Sequence, residues 1–219
     1  MKMIRFNPYH MTSLCIALTT ILSSLTFLFS NQYRAFPHFI SEADVGQIPS
    51  LFFKGGFVVS SIAMAWMIFD STRRLGKEKK DTPQRFVTTA IGIVTIISLW
   101  FVIIYDIHSN IQIHTAAAGI CFISSLIWTK VYGSAIGLDS NLFNTGLLLS
   151  TLGCMAMIGA LILAPGYTSN FETNAYLDSI QHYIVLAAPA EFALVGGLLA
   201  SIYALGYEEG EKNSSNEST

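Results

Sequence analysis

Six stretches of about twenty mostly apolar residues, nearly free of charge, dominate this chain and limit what it is able to fold into. They run approximately over residues 11–30, 51–70, 87–105, 111–130, 144–164 and 182–207. A hydrocarbon core roughly 30 Å thick is crossed by about 20 helical residues, so each stretch is long enough for one passage. Composition agrees: 52% of the 219 residues are hydrophobic and 12% are charged, against about 25% charged in an ordinary soluble domain. Backbone groups in lipid must be satisfied within the span. The expectation is therefore all-α: a polytopic membrane protein forming a six-transmembrane-helix bundle with short loops, one domain over 1–219. No repeat at a fixed period suggests a solenoid.

The basic residues orient it. Lys2 and Arg5 precede the first span, and "STRRLGKEKKDTPQR" between spans two and three holds Arg73, Arg74, Lys77, Lys79, Lys80 and Arg85. Lys130 and Lys212 fall on the same side, while the other side has Arg34 and, just inside span two, Lys54. Cytoplasmic loops carry the excess of Lys and Arg, so both termini are expected in the cytoplasm. Trp66 and Trp128 then fall near cytoplasmic ends of their spans, and Trp100 and Tyr105 near the other interface. The first span resembles a signal peptide in its flanking charge, but "FSNQYRAFPHF" after it offers no small-residue cleavage site, which reads as an uncleaved helix. Cys15, Cys121 and Cys154 all lie within spans, without C-x-x-C spacing, as small core residues do. The polar segment 208–219 reads as a disordered tail.

On the non-cytoplasmic side gather His38, His108, His114 and His182 with Glu42, Asp44, Asp106, Glu172 and Asp178. "IIYDIHSNIQIHTAAAG" puts Asp106 and His108 in the turn between spans three and four, and His114 about one turn inside span four. Imidazole serves as acid, base, ligand or hydrogen-bond donor near neutral pH, and a nearby carboxylate orients it. Asp106 and His114 are accordingly the candidate catalytic pair; the plainer alternative is a polar pair that ties the turn to its neighbour. No pair of ligands at helical spacing and no C-x-x-C-H motif is present, so neither metal nor cofactor is expected. Glu191 lies nine residues beyond His182, about 13 Å deeper along a helix. An acid at that depth is expensive unless paired, and is a candidate site by default. Pro189 removes a backbone donor two residues before it. Lys54 reads either as a site cation or as a side chain snorkelling to the outer surface. Gly196 with Ala200, Gly197 with Ser201, and Gly146, Gly153 and Gly159 read as helix contacts. Nucleotide-binding, zincin and serine-hydrolase motifs are absent, and nothing points to nucleic acid.

Two segments carry a resemblance. "FPHFISEADVGQIPS" after span one and "DIHSNIQIHTAAAGICFISSLIW" entering span four are similar to the Frag1/DRAM/Sfk1 family of six-span membrane proteins. Pro37, Ile40, Ser41 and Pro49 match its first lumenal loop, and Asp106 and His114 its acidic residue and histidine. After that histidine the GPI-remodelling branch often has polar residues, where this chain has Thr115 followed by Ala116, Ala117 and Ala118. The resemblance implies a lipid-related role: lipid or GPI-lipid remodelling, or lipid regulation.

The leading expectation is a protein that engages membrane lipids from the outer leaflet. Asp106 and His114 would face the head group under the first loop, with Ser41, Lys54, His182 and Glu191 as lipid contacts. If it is an enzyme, acyl transfer or lipid hydrolysis fits, with His114 as base and Asp106 as its orienter. One alternative is a non-catalytic scaffold that recruits protein partners through its basic loop, which also reads as a plain topology determinant or a binder of anionic head groups. A second is a small transporter built on Glu191 and Pro189.

Overall fold

Side-chain caps and glycine turns set the starts of several helices. The computed structural model describes residues 7–30, 33–77, 82–167 and 172–216. Their order is α1 (Pro8–Leu28), a 3₁₀ turn (Ile40–Ala43), α2 (Gln47–Lys77), α3 (Thr82–Ile104), α4 (Ile111–Ala135), α5 (Asn141–Leu163), the short α6 (Thr173–Ser179) and α7 (Gln181–Asn216), with no strand among the described residues. Asn7 caps α1 through Tyr9 N (2.9 Å), with Pro8 following it. Asn110 caps α4 through Ile113 N (3.0 Å), and Ser140 caps α5 through Phe143 N (3.2 Å). Each supplies an acceptor to an amide that has no partner inside its helix. Gly46 (φ 75°) and Gly137 (φ 68°) make the turns into α2 and before α5, in a backbone region open to a residue without Cβ.

Six helices are long and apolar enough to cross a membrane: α1, α2, α4, α5, the 83–104 part of α3 and the 181–207 part of α7. The chain is thus a multi-pass all-α bundle. Helices exceed the apolar runs because the hydropathic signal marks the part able to sit in lipid, whereas a helix continues until its caps. So α2 spans 31 residues and carries Arg73 and Arg74 beyond its apolar part. α7 runs on as far as Asn216, into the polar segment from 208 that was read as a tail, and 217–219 lie outside the described residues. The loop before α7 contains α6, which seven residues were too few to announce.

The start of α1 meets the end of the spanning part of α7: Asn7 Nδ2 donates to Gly206 O at 2.8 Å, and His10 stacks on Tyr203 at 4.3 Å. Both therefore lie on one face, together with Tyr9, whose hydroxyl bonds that of Tyr132 at 2.7 Å. Trp128, expected at the interface, is 3% exposed and stacked on Tyr132. It belongs to the core, whereas Trp66 (45%) and Trp100 (40%) do face outward.

Lipid supplies no hydrophobic drive between helices, so close backbone approach and packing hold the bundle. The most extensive contact is α5 with α7, then α1 with α2 and α3 with α4. A Cβ added at Gly146 would stand 2.7 Å from Gly197 O, one at Gly197 2.5 Å from Gly146 O, and one at Gly153 2.6 Å from Ala190 O. Gly159 and Gly196, read with them as contact residues, have open space beside their Cα atoms. α7 is central, with 50% of its spanning window buried, and α4 is the least covered at 28%. α4 packs on α3 and touches α5 and α7 only sparsely, which leaves a gap beside it.

Candidate functional site

The loop between α1 and α2 dips into the bundle. Its 3₁₀ turn buries Ile40, Glu42 and Ala43, and Ile40 N donates to Glu191 Oε2 at 2.7 Å. Glu191 lies at the close of the third helical turn of α7, about 15 Å from its start. The deep carboxyl group that was conspicuous in the sequence is thus the acceptor for a backbone amide that would otherwise be unsatisfied in an apolar interior. A second tie lies nearer the surface. Glu42 accepts from Phe39 N (3.0 Å) and from Arg34 Nε (3.2 Å). Arg34 Nη1 donates to Asp178 (2.7 Å) and to Gln181 (2.8 Å). Gln181 in turn reaches Pro37 O at 3.3 Å. Burial raises the Glu42 carboxyl above its ordinary value against the opposing pull of the Phe39 amide and of Arg34. His38 is 3% exposed inside a ring of Phe27, Tyr33, Phe36 and Phe192. That burial, with Arg34 nearby, pushes its imidazole below the ordinary value.

In the next turn Asp106 and His114 separate. Asp106 Oδ1 accepts from His108 N (3.0 Å) and Ser109 N (2.6 Å), the local bonding that Asp offers a turn. Its other oxygen lies 3.7 Å from Lys54 Nζ, which is also 3.5 Å from Asp44. Asp44 accepts from Ser50 Oγ at 2.6 Å. Burial pushes Asp44 up to about 6, and the Ser50 hydroxyl and Lys54 only partly oppose it, as expected when the paired cation is more than a third exposed. His114 Nδ1 instead meets the backbone carbonyl of Tyr105 at 2.7 Å. Asp106 as orienter of His114 is therefore corrected: the Tyr105 carbonyl holds the ring. A carbonyl only accepts, so Nδ1 carries the hydrogen and Nε2 of the neutral ring is left as an acceptor. Nε2 is buried with no hydrogen-bond partner among the described residues, in a residue 2% exposed.

Two cavities meet at this ring. One, about 570 Å³, occupies the gap beside α4 and is walled by Ile111, Phe122, Met157, Leu161 and Leu177, with Gln112, Thr115, Tyr167 and Tyr176 also on its lining. The other, about 90 Å³, runs inward among Phe53, Met64, Leu99, Leu198 and Ile202. Ser41, His114, Ala118, Phe122 and Glu191 line both. The polar groups common to the two chambers are thus a hydroxyl, an imidazole and a carboxyl. Among the described residues, no Lys or Arg lines either cavity.

Ser41, His114 and Glu191 are brought together from a loop and two helices. Lys54 stays with its two carboxylates, and His182 is exposed against its neighbour Tyr183, with ring centroids 3.8 Å apart. Asp106, Lys54 and His182 line neither cavity. Sequence reasoning missed Arg34 and Gln112, Thr115, Tyr167 and Tyr176. Arg34 carried a usable signal, being the one arginine of the acidic side. No group of three or more His, Cys, Asp or Glu able to hold a metal occurs among the described residues. The described cysteines are free.

Comparison with family models, curated proteins and solved structures finds no match to this chain. The class of protein follows from the fold, a multi-pass helical membrane protein, and the Frag1/DRAM/Sfk1 resemblance rests on the quoted residues alone.

Proposed function

We propose that this protein takes up a membrane lipid in the cavity beside α4, in the non-cytoplasmic half of the bundle, with the lipid head group at Ser41, His114 and Glu191. The observation that carries the reading is the 570 Å³ cavity, apolar along its walls and polar at its junction with the inner chamber. Its volume falls within the roughly 300–1,000 Å³ of small-molecule sites. The positive-inside bias supports the orientation, and the lipid role implied by the Frag1/DRAM/Sfk1 resemblance agrees in kind. The carrier reading rests on Glu191, one of whose oxygens accepts from Ile40 N.

A catalytic version, ester hydrolysis or acyl transfer, assigns His114 Nε2 as the base, since a base must present an unoccupied nitrogen to the reacting proton. The test of binding is lipid retained after purification, read by native mass spectrometry. Gly119 lines the cavity and has nothing within 4 Å of an added Cβ, so Gly119→Phe should fill it and lower retained lipid severalfold. Gly55→Phe, at an equally open position on the exposed surface of α2, should retain lipid normally. Equal retention in all three proteins would remove the cavity from consideration.

A further inference from the structure

The charge and hydrogen-bonding character of the polar junction restrict which lipid fits it. His114 Nε2 is a buried acceptor that needs a hydrogen-bond donor. Glu191 adds a carboxyl group and Ser41 a hydroxyl that makes no hydrogen bond among the described residues. No cation among the described residues lines either chamber. The two cations of this side are occupied: Arg34 by Glu42 and Asp178, Lys54 by Asp44 and Asp106. The undescribed residues of the same loops, 31–32 and 168–171, include no Lys or Arg. A phosphate placed here would be a buried anion facing a carboxyl group and an acceptor nitrogen, with no cation to pair it, which is strongly unfavourable. A free hydroxyl satisfies the same atoms: it donates to Nε2 and accepts from Ser41.

Shape narrows the class further. The two chambers leave one polar point in different directions, one beside α4 and one along the bundle interior. The chamber beside α4, about 570 Å³, has room for an acyl chain, and the inner one, about 90 Å³, for only a few methylenes of a flexible chain, which a rigid sterol ring system does not supply. We infer that the ligand of this site is an acylglycerol with a free hydroxyl and no phosphate, diacylglycerol being the form tested, its hydroxyl donating to His114 Nε2. This assignment rests on the lipid reading above and names its substrate class.

The test loads the purified full-length protein with diacylglycerol, with phosphatidic acid of the same acyl chains, or with cholesterol, and measures the amount retained. Diacylglycerol should exceed phosphatidic acid by roughly tenfold, the scale of one buried polar group left unpaired. Ser41→Ala, which removes no hydrogen bond seen within the protein, should reduce diacylglycerol retention severalfold. His114→Phe, which removes the acceptor, should likewise reduce diacylglycerol retention severalfold. Thr115→Arg, which adds a cation at the cavity wall, should move the preference toward phosphatidic acid. Phosphatidic acid held as well as diacylglycerol by the wild type, or cholesterol held in its place, would overturn the assignment while leaving a lipid site. No retention of any of the three would overturn the lipid reading itself.

Discussion

At the scale of single residues, three polar groups explain each other once the first loop is seen to descend. Glu191 looked like an unpaired acid in mid-membrane, yet its oxygen is 2.7 Å from Ile40 N. Glu191→Gln keeps an acceptor there and should remain close to wild type in thermal stability. Glu191→Leu leaves a buried amide unsatisfied and should lose about 1–3 kcal/mol, read as a lower melting temperature in detergent. Asp44 gives a pH signature. Its folded carboxyl holds a proton up to about pH 6, while an unconstrained one releases it near 3.8. Folding therefore takes up a proton between those values, and stability should fall as pH rises across that window, then level off above it. An infrared carboxyl band titrating near 6 in the wild type and missing in Asp44→Asn would confirm the assignment; a midpoint near 4 would refute it. None of this was legible in the sequence, because it depends on which loop atoms meet which helix. What was legible was that Ser41, His114 and Glu191 were worth watching. The partner of His114 was not: the ring is held by a backbone carbonyl, and any residue at position 105 presents one.

Among the elements, the hydropathic runs located all six spanning helices, because a bilayer imposes length and polarity on whatever crosses it. Their ends were less legible. α2 continues past its apolar run to Lys77 and α7 to Asn216, since helix propagation is not limited by hydropathy. The small-residue pattern was read correctly at Gly146, Gly153 and Gly197 but not at Gly159 or Gly196. Small residues permit close approach, and only the helix face turned toward a neighbour uses it. Gly197→Leu should therefore destabilise the α5–α7 pair by about 1–3 kcal/mol through overpacking, whereas Gly196→Leu should change the melting temperature little. The first loop is fastened at its rim by Arg34. Arg34→Ala should speed hydrogen exchange over residues 39–44 while leaving the mid-helix amides of α5 and α7 protected.

For the whole molecule, the arrangement has α7 as its centre, α5 fixed against it by glycine contacts, and α4 held mainly by α3. The cavity is the consequence of that unequal packing, and no local sequence pattern announces it, because it is defined by where α4 does not touch. Orientation is a property of the same scale. Ser109→Cys, in the α3–α4 turn, should be labelled by an impermeant thiol reagent added outside intact cells or to the lumenal side of vesicles. Asp139→Cys, in the α4–α5 turn on the opposite face, should not, and the reverse pattern would invert the topology. The central claim is that the gap beside α4 holds a lipid, and a single-particle density map of the protein in lipid nanodiscs addresses it directly. The expected result is elongated density between α4 and α5 ending within hydrogen-bonding distance of His114 Nε2. An empty gap, or α4 closed against α5 with no space between them, would contradict it.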